Sequence, residues 1–315
     1  MKSRNNNFEL FEKGRLASNI HHGSRPDEPK YARLLSEPVQ NSRYVILGIS
    51  ECIGPAANFG RKGSEQGFSA FLTYFTALPK SNFSIDFLGD ICFVGSFPKD
   101  ISTAQGLVEE LDDLVERVLK ERVVAGQIPI IIGGGHNNAL PIMRWASNHR
   151  PLNKVINIDA HFDVRPTTVR HSGNAFSSAI EEGILEEYVA LGIDPYATSD
   201  VLWDFVYDFD VKFVPFVEYL QGKELKEDLV FYTQDATGYG LEIDLDCMEN
   251  MPTSAQSPSG FHLNDVRKAI NSLTNKNVVY LHLCEGAPTN EQEQRTVGKS
   301  LCYLVLDFIS VMERL

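Results

Sequence analysis

Short apolar runs recur along this chain with helical patterns between them, and that alternation limits what it can fold into. Residues 44–48, 91–94, 129–132, 155–158, 188–191, 211–214, 241–244 and 278–283 read as strands. They are mostly apolar, the pattern of strands covered on both faces. The clearest helix lies between the second and third runs. Ser102 or Thr103 can cap it, and Leu107, Val108, Leu111, Leu114, Val115, Val118 and Leu119 follow at helical spacing. Its other face carries Glu109, Glu110, Asp112, Asp113, Glu116 and Arg117, so it predicts a surface helix lying on a sheet. Strands separated by helices predict an α/β fold with a mostly parallel sheet of about eight strands.

The length, 315 residues, fits one α/β domain over 41–315 after an N-terminal arm over 1–40. The arm is expected to start with a helix and to be irregular around residues 19–29. Residues 221–239 read as a long surface loop and helix, and no linker divides the chain. A net charge of −13 with no Lys/Arg run speaks against nucleic acid and anionic membranes as partners. Cys52, Cys92, Cys247, Cys284 and Cys302 are dispersed and form no CxxC, which predicts reduced thiols in a cytoplasmic protein. The polar start Met1–Asn7 lacks an apolar signal core, and no uninterrupted apolar stretch is long enough to span a membrane.

Three patches at strand ends carry metal-ligand side chains. Asp159-Ala160-His161-Phe162-Asp163 follows one apolar run. If extended backbone continues, Asp159, His161 and Asp163 share one side; a polar strand end with local hydrogen bonds would read the same way. Gly133-Gly134-Gly135-His136 follows another run. Its glycines fit no nucleotide fingerprint and are expected to turn the backbone so that His136 approaches an ion. Asp244 and Asp246, in Glu242-Ile243-Asp244-Leu245-Asp246, lie two apart at the end of a third run. A solvated acidic turn is the alternative, but two carboxylates so close repel unless something positive sits between them. Four carboxylates and two imidazoles exceed the needs of one zinc ion. They suit two divalent ions such as Mn²⁺, about 3.5 Å apart, with a water between them.

GGGH, DAHFD and DLD in this order and spacing resemble the ureohydrolase superfamily of arginases, agmatinases and formimidoylglutamases, over roughly residues 43–310. The resemblance implies a three-layer α/β/α fold and a centre of two Mn²⁺ ions that hydrolyses amidine or guanidine carbon–nitrogen bonds. It implies His136, Asp159, Asp163 and Asp244 on one ion. His161, Asp159, Asp244 and Asp246 would take the other. The family often forms trimers or hexamers, so it also implies a homo-oligomer.

Within the family, Phe176 stands where arginases and agmatinases have a proton-shuttling histidine, and so points to formimidoylglutamases. The segment Pro252–Phe261 resembles theirs too. Asn174 departs towards arginase, and Glu249 stands where aspartate is more usual. The resemblance implies a hydrolase that converts N-formimidoyl-L-glutamate to L-glutamate and formamide in histidine degradation. Asp246 would accept a proton, Glu285 would face the cationic end of this small-molecule substrate, and His171 would contact it or carry protons. Arg165, Arg61 and Arg170 are candidate readers of its carboxylates, with Asn174 and Phe176 as further substrate contacts. Two alternatives stand beside this reading: a guanidino hydrolase releasing urea, and a catalytically inactive member acting as a binding subunit. The presence of all six ligands counts against the second.

Overall fold

The structure, a computed structural model, describes residues 7–18, 28–37, 39 and 41–315. Much of the expected irregular arm, residues 19–27, lies outside them. Among the described residues nine strands form the sheet: β1 (Phe8–Phe11), β2 (Tyr44–Ser50), β3 (Ile85–Phe93), β4 (Ile128–Ile132), β5 (Lys154–Ile158), β6 (Glu187–Ile193), β7 (Lys212–Pro215), β8 (Tyr239–Asp244) and β9 (Val278–Cys284). Their order is β1-β3-β2-β4-β9-β8-β5-β6-β7. Every pairing is parallel except β1 with β3.

All eight expected strands are present. The ninth, β1, lies in the expected N-terminal arm, where a helix was predicted; the helix there is the five-residue Lys13–Ala17. A four-residue edge strand is too short to show a period, and its partner on β3 lies far away in sequence (Phe8 opposite Phe93). β3 also begins six residues before the apolar run that revealed it, because Asp86, Gly89 and Asp90 break the run, while pairing with β2 continues through a register shift at Leu88.

Alternation along the strands sends side chains into two cores. Ile130, Ile132, Ile156, Ile158, Leu241, Ile243, Leu281 and Leu283 face one layer, covered by helices Gly67–Phe75, Leu263–Asn271 and Glu291–Arg314. Ile131, Val155, Ala190 and Tyr280 face the other, covered by Ile101–Arg122, Ala139–His149 and Ala175–Glu181. This is the expected three-layer α/β/α arrangement. Helix Ile101–Arg122 carries the predicted apolar stripe, but its cap is Asp100, whose carboxylate accepts from the Thr103 N–H, rather than Ser102 or Thr103. Residues 221–239 contain the helix Leu225–Thr233. No described helix is long and apolar enough to cross a membrane.

Helix Gly67–Phe75 lies so close to β2 that only glycine fits at position 48: an added Cβ would sit 2.2–2.5 Å from ring carbons of Phe68. Gly48→Ala should therefore lower stability by about 1–3 kcal/mol, the usual cost of overpacking a core. A denaturant midpoint equal to that of the wild type would show that this helix is not held against the sheet as described.

Candidate metal centre

The four central strands β4, β9, β8 and β5 are neighbours and run the same way, so their carboxyl ends open at one edge, where ligands of α/β sheets bind. His136 follows β4, Glu285 follows β9, Asp244 ends β8, and Asp159 follows β5.

Sharp turns bring these side chains together. Gly133 and Gly134 have φ of 95° and 70°, and a Cβ on either would meet Ile49 or Asn138 and Glu51 within 3.0 Å. Glu51 holds this turn from beneath: its buried carboxylate accepts from the N–H groups of Ile53, Gly54 and Gly135 and from Asn138 Nδ2, at 2.6–3.0 Å. The extended geometry expected through DAHFD stops at Ile158, and Asp163 has φ 50°. Asp163 thus reaches the site by a left-handed turn, not by strand alternation. Asp244 Oδ1 accepts the Asp246 N–H at 2.7 Å, which curls the chain into a short 3-10 turn (Leu245–Cys247).

The result is a convergence on one imidazole nitrogen. His136 Nδ1 lies 3.0 Å from Asp163 Oδ2, 3.0 Å from Asp244 Oδ2 and 3.2 Å from Asp159 Oδ2. Donor atoms of these four residues all lie within 4.8 Å of one another. His136 is fully buried, yet neither ring nitrogen has a hydrogen-bond partner. Ligand atoms at right angles about 2.1 Å from one ion would lie about 3 Å apart, so the donor set fits a hard divalent cation. Crowding has an electrostatic mark: burial, then the charges of Asp159 and Asp246, push Asp244 well above the usual carboxylate range. His161 Nδ1 lies 3.5 Å from Asp159 Oδ1 and 3.9 Å from Asp246 Oδ2, on the open side of the cluster. Asp246 Oδ1 also accepts the Ala255 N–H at 3.2 Å.

Above the cluster lies a cavity of about 280 Å³, lined among others by His161, Asp163, Arg165, Asp244, Asp246 and Glu285. Glu285 is buried with φ 63°; Oε1 accepts the His136 N–H at 2.8 Å and Oε2 accepts from Ser254 Oγ at 2.5 Å. Burial and the Asp246 charge push its carboxyl up to about 8.

Several expected substrate contacts sit elsewhere. Asn174 is fully buried; its Oδ1 accepts from Arg170 Nη1 and the His171 N–H, and its Nδ2 donates to the carbonyls of Pro166 and Val169. Phe176 is buried behind the ligands, stacked on Tyr188 at 4.3 Å and edge-on to His136 at 5.1 Å. Arg170 is tied to the buried Asp112 and to the Asn137 carbonyl and does not line this cavity. Arg61 Nε donates to the Thr253 carbonyl and does not line the cavity. His171 Nδ1 accepts the Gly173 N–H, and His171 is outside the lining as well. Burial, helped by Arg170 and Arg165, lowers its imidazole to about 4. Of the three arginines, Arg165 alone lines the cavity. Glu249 pairs with His262 at 2.8 Å.

A buried second row went unread in the sequence. Asn157, Glu242 and His282 are adjacent across β5, β8 and β9, two residues before Asp159, Asp244 and Cys284. Period-two spacing back from Asp159 and Asp244 would have marked Asn157 and Glu242, because the same strand face carries both rows, whereas His282 follows only from its register with Glu242.

Residues 42–309 match the model of the arginase family. A formimidoylglutamase of Streptococcus gordonii is 27% identical over 67% of this chain and 66% of its own length; one from Staphylococcus epidermidis is 26% identical over 80% and 81%. For the first curated relatives matched, the chain spans 56–66% of their length. The fold matches that of a Trypanosoma cruzi formiminoglutamase with Mn²⁺ (TM-score 0.69, 21% identity, 90% of this chain and 99% of that one). It also matches formimidoylglutamase from Bacillus subtilis (TM-score 0.73, 17% identity, 93% and 94%). The family match runs from just before β2 into the helix Glu291–Arg314 and takes in all three acidic and histidine patches, and by it the chain belongs to the arginase family.

Proposed function

We propose that this chain is a metal-dependent hydrolase of a carbon–nitrogen bond in a linear amidine, and that its substrate is N-formimidoyl-L-glutamate. The observation that carries the reading is the layout of charge: a hard-cation donor set and Glu285 at the floor of one cavity, with Arg165 on its wall. A molecule with a cationic amidine at one end and carboxylates at the other matches that layout. The similarity to formimidoylglutamases of several bacteria supports the same substrate.

His136, Asp159, Asp163 and Asp244 would hold one ion, and His161, Asp159, Asp244 and Asp246 a second. We assign two Mn²⁺ per chain, since carboxylate with imidazole suits that ion and the similar T. cruzi structure carries Mn²⁺. When bound, such a pair supplies a nucleophile from water near neutral pH and stabilises developing negative charge.

The protein's own groups do the rest. Glu285, fixed by His136 N–H and Ser254, holds the amidine end. Arg165 pairs with the carboxylate end. Asp246 accepts a proton from the attacking water and returns it to the departing amino nitrogen. Water's oxygen joins the amidine carbon, the bond to the glutamate nitrogen breaks, and formamide and glutamate leave. Phe176 cannot carry a proton, and His171 is occupied in its own loop, so proton transfer falls to the carboxylates.

Turnover of the Mn²⁺-loaded protein should be measured with formimidoyl-glutamate, arginine, agmatine and guanidinobutyrate side by side. Formamide from the first alone is expected. Urea from any other would overturn the substrate, and no turnover of any of them by the Mn²⁺-loaded protein would favour the inactive binding subunit. Asp246→Ala, with Mn²⁺ content checked, should lose at least about 100-fold in kcat, the usual size of a general-base contribution; near-normal turnover would remove Asp246 from the proton path. Arg165→Ala should raise KM roughly 10- to 100-fold, as expected for a charged hydrogen bond of about 1.5–3 kcal/mol. An unchanged KM would place carboxylate recognition elsewhere.

A further inference from the structure

The row beneath the ligands contains a carboxylate that the mechanism does not use. Glu242 is fully buried on β8, two residues before Asp244 and on the same strand face. Its register neighbour on β9 is His282 and on β5 is Asn157. Glu242 Oε2 lies 2.5 Å from His282 Nδ1, and Oε1 accepts the Tyr280 hydroxyl at 2.8 Å. The same Oε2 lies 3.6 Å from His136 Nε2, and no other described carboxylate lies within ion-pair distance of that nitrogen.

His136 therefore has two distinct ends. Nδ1 faces the three aspartates of the metal cluster. Nε2 is buried, has no hydrogen-bond partner, and faces Glu242. Phe176 packs edge-on against the ring and restricts its tilt. A histidine that binds a metal through one nitrogen commonly gives its other N–H to a carboxylate, which fixes tautomer and orientation and makes the ligand nitrogen more basic. The distance of 3.6 Å is just beyond hydrogen-bond length, and a small movement of the ring would close it. Asn157 does the matching service for Asp159: its Nδ2 donates to Asp159 Oδ2 at 3.0 Å and lies 3.1 Å from the Tyr188 hydroxyl.

We infer that Glu242, itself clamped by His282 and Tyr280, is a positioning residue that points His136 Nδ1 at the metal cluster. The inference rests on the metal reading given above. It adds that the affinity of this chain for one of its ions depends on a carboxylate that never touches an ion.

The test is Mn²⁺ binding, not turnover. Metal-free wild type, Glu242→Gln and Tyr280→Phe would be titrated with Mn²⁺ while free ion is followed by electron paramagnetic resonance, with folding checked by circular dichroism. Glu242→Gln keeps the shape and removes the charge. It should weaken the ion held by His136 about 10- to 100-fold, the usual loss for an outer-shell partner, and leave the other ion near its wild-type affinity. Tyr280→Phe removes one clamp and should shift the same ion less. Wild-type affinity for both ions in both variants would overturn the inference, and so would equal weakening of the two ions, which marks general loosening. If Glu242→Gln does not fold, Tyr280→Phe is judged by the same criteria. A wild-type protein that takes up no Mn²⁺ would sink the metal reading itself, and with it this inference; wild-type uptake with indifferent variants would sink the inference alone.

Discussion

Everything at the carboxyl edge of this sheet depends on one unfavourable fact: three aspartates meet around a single buried imidazole nitrogen at 3.0–3.2 Å. The donor atoms of these residues all lie within 4.8 Å of one another, and like charges at such separations repel by several kcal/mol even at the effective dielectric of a protein surface. No described lysine or arginine pairs with Asp159, Asp163 or Asp244. Among the described residues only the imidazoles of His136 and His161 face these carboxylates. Against the opposing effect of burial, the carboxylates hold both above the usual imidazole range, and a bound cation would take over that balancing charge. Removing water from carboxylates is costly unless they are paired or coordinate a metal, so such a site persists only where rigid structure holds it.

That rigidity comes from backbone placed where most residues do not go. Gly133, Gly134, Asp163 and Glu285 all have positive φ, and all four stand in the loops that follow β4, β5 and β9. Non-glycine residues in this region cost of the order of 1–3 kcal/mol and survive only where their surroundings dictate them. Those surroundings are identifiable. Glu51 gathers four donors under the glycine turn, and the N–H of Glu285 bonds to the carbonyl of Gly134. Glu285 Oε1 in turn accepts the His136 N–H. The β4 and β9 loops are thus cross-linked to each other before any ion arrives.

The sequence made the fold readable because central parallel strands are buried on both faces and so appear as plain apolar runs. It hid β1, a short edge strand whose partner is remote in the chain. The ligand patches were readable because acidic and histidine side chains at the ends of such runs have few other reasons to be there. Their geometry was less so: strand alternation suggested that Asp159, His161 and Asp163 share a face, whereas a left-handed residue brings Asp163 in. Glu242 and His282 escaped notice because they sit inside apolar runs, where one polar residue looks like an interruption. Arg170 looked available in the sequence because its partner, Asp112, lies on a helix 58 residues earlier. No local pattern could reveal that pairing.

Asn174 and Phe176 touch the cavity only indirectly, through the residues they hold. Asn174 binds Arg170, the His171 N–H and the carbonyls of Pro166 and Val169, so it sets the shape of the loop from Arg165 to Ser172. Both ends of that loop line the cavity. The Arg165 N–H bonds to the Gly173 carbonyl, and the Ser177 hydroxyl bonds to the Arg165 carbonyl, so the guanidinium is carried on a backbone that Asn174 holds in place. Phe176 lies one layer lower, between Tyr188 and His136. A polar side chain there would need a partner in a position now filled by two aromatic faces. In this chain the two positions act on the cavity from behind, one through the loop that carries its arginine and the other through its edge-on contact with the His136 ring.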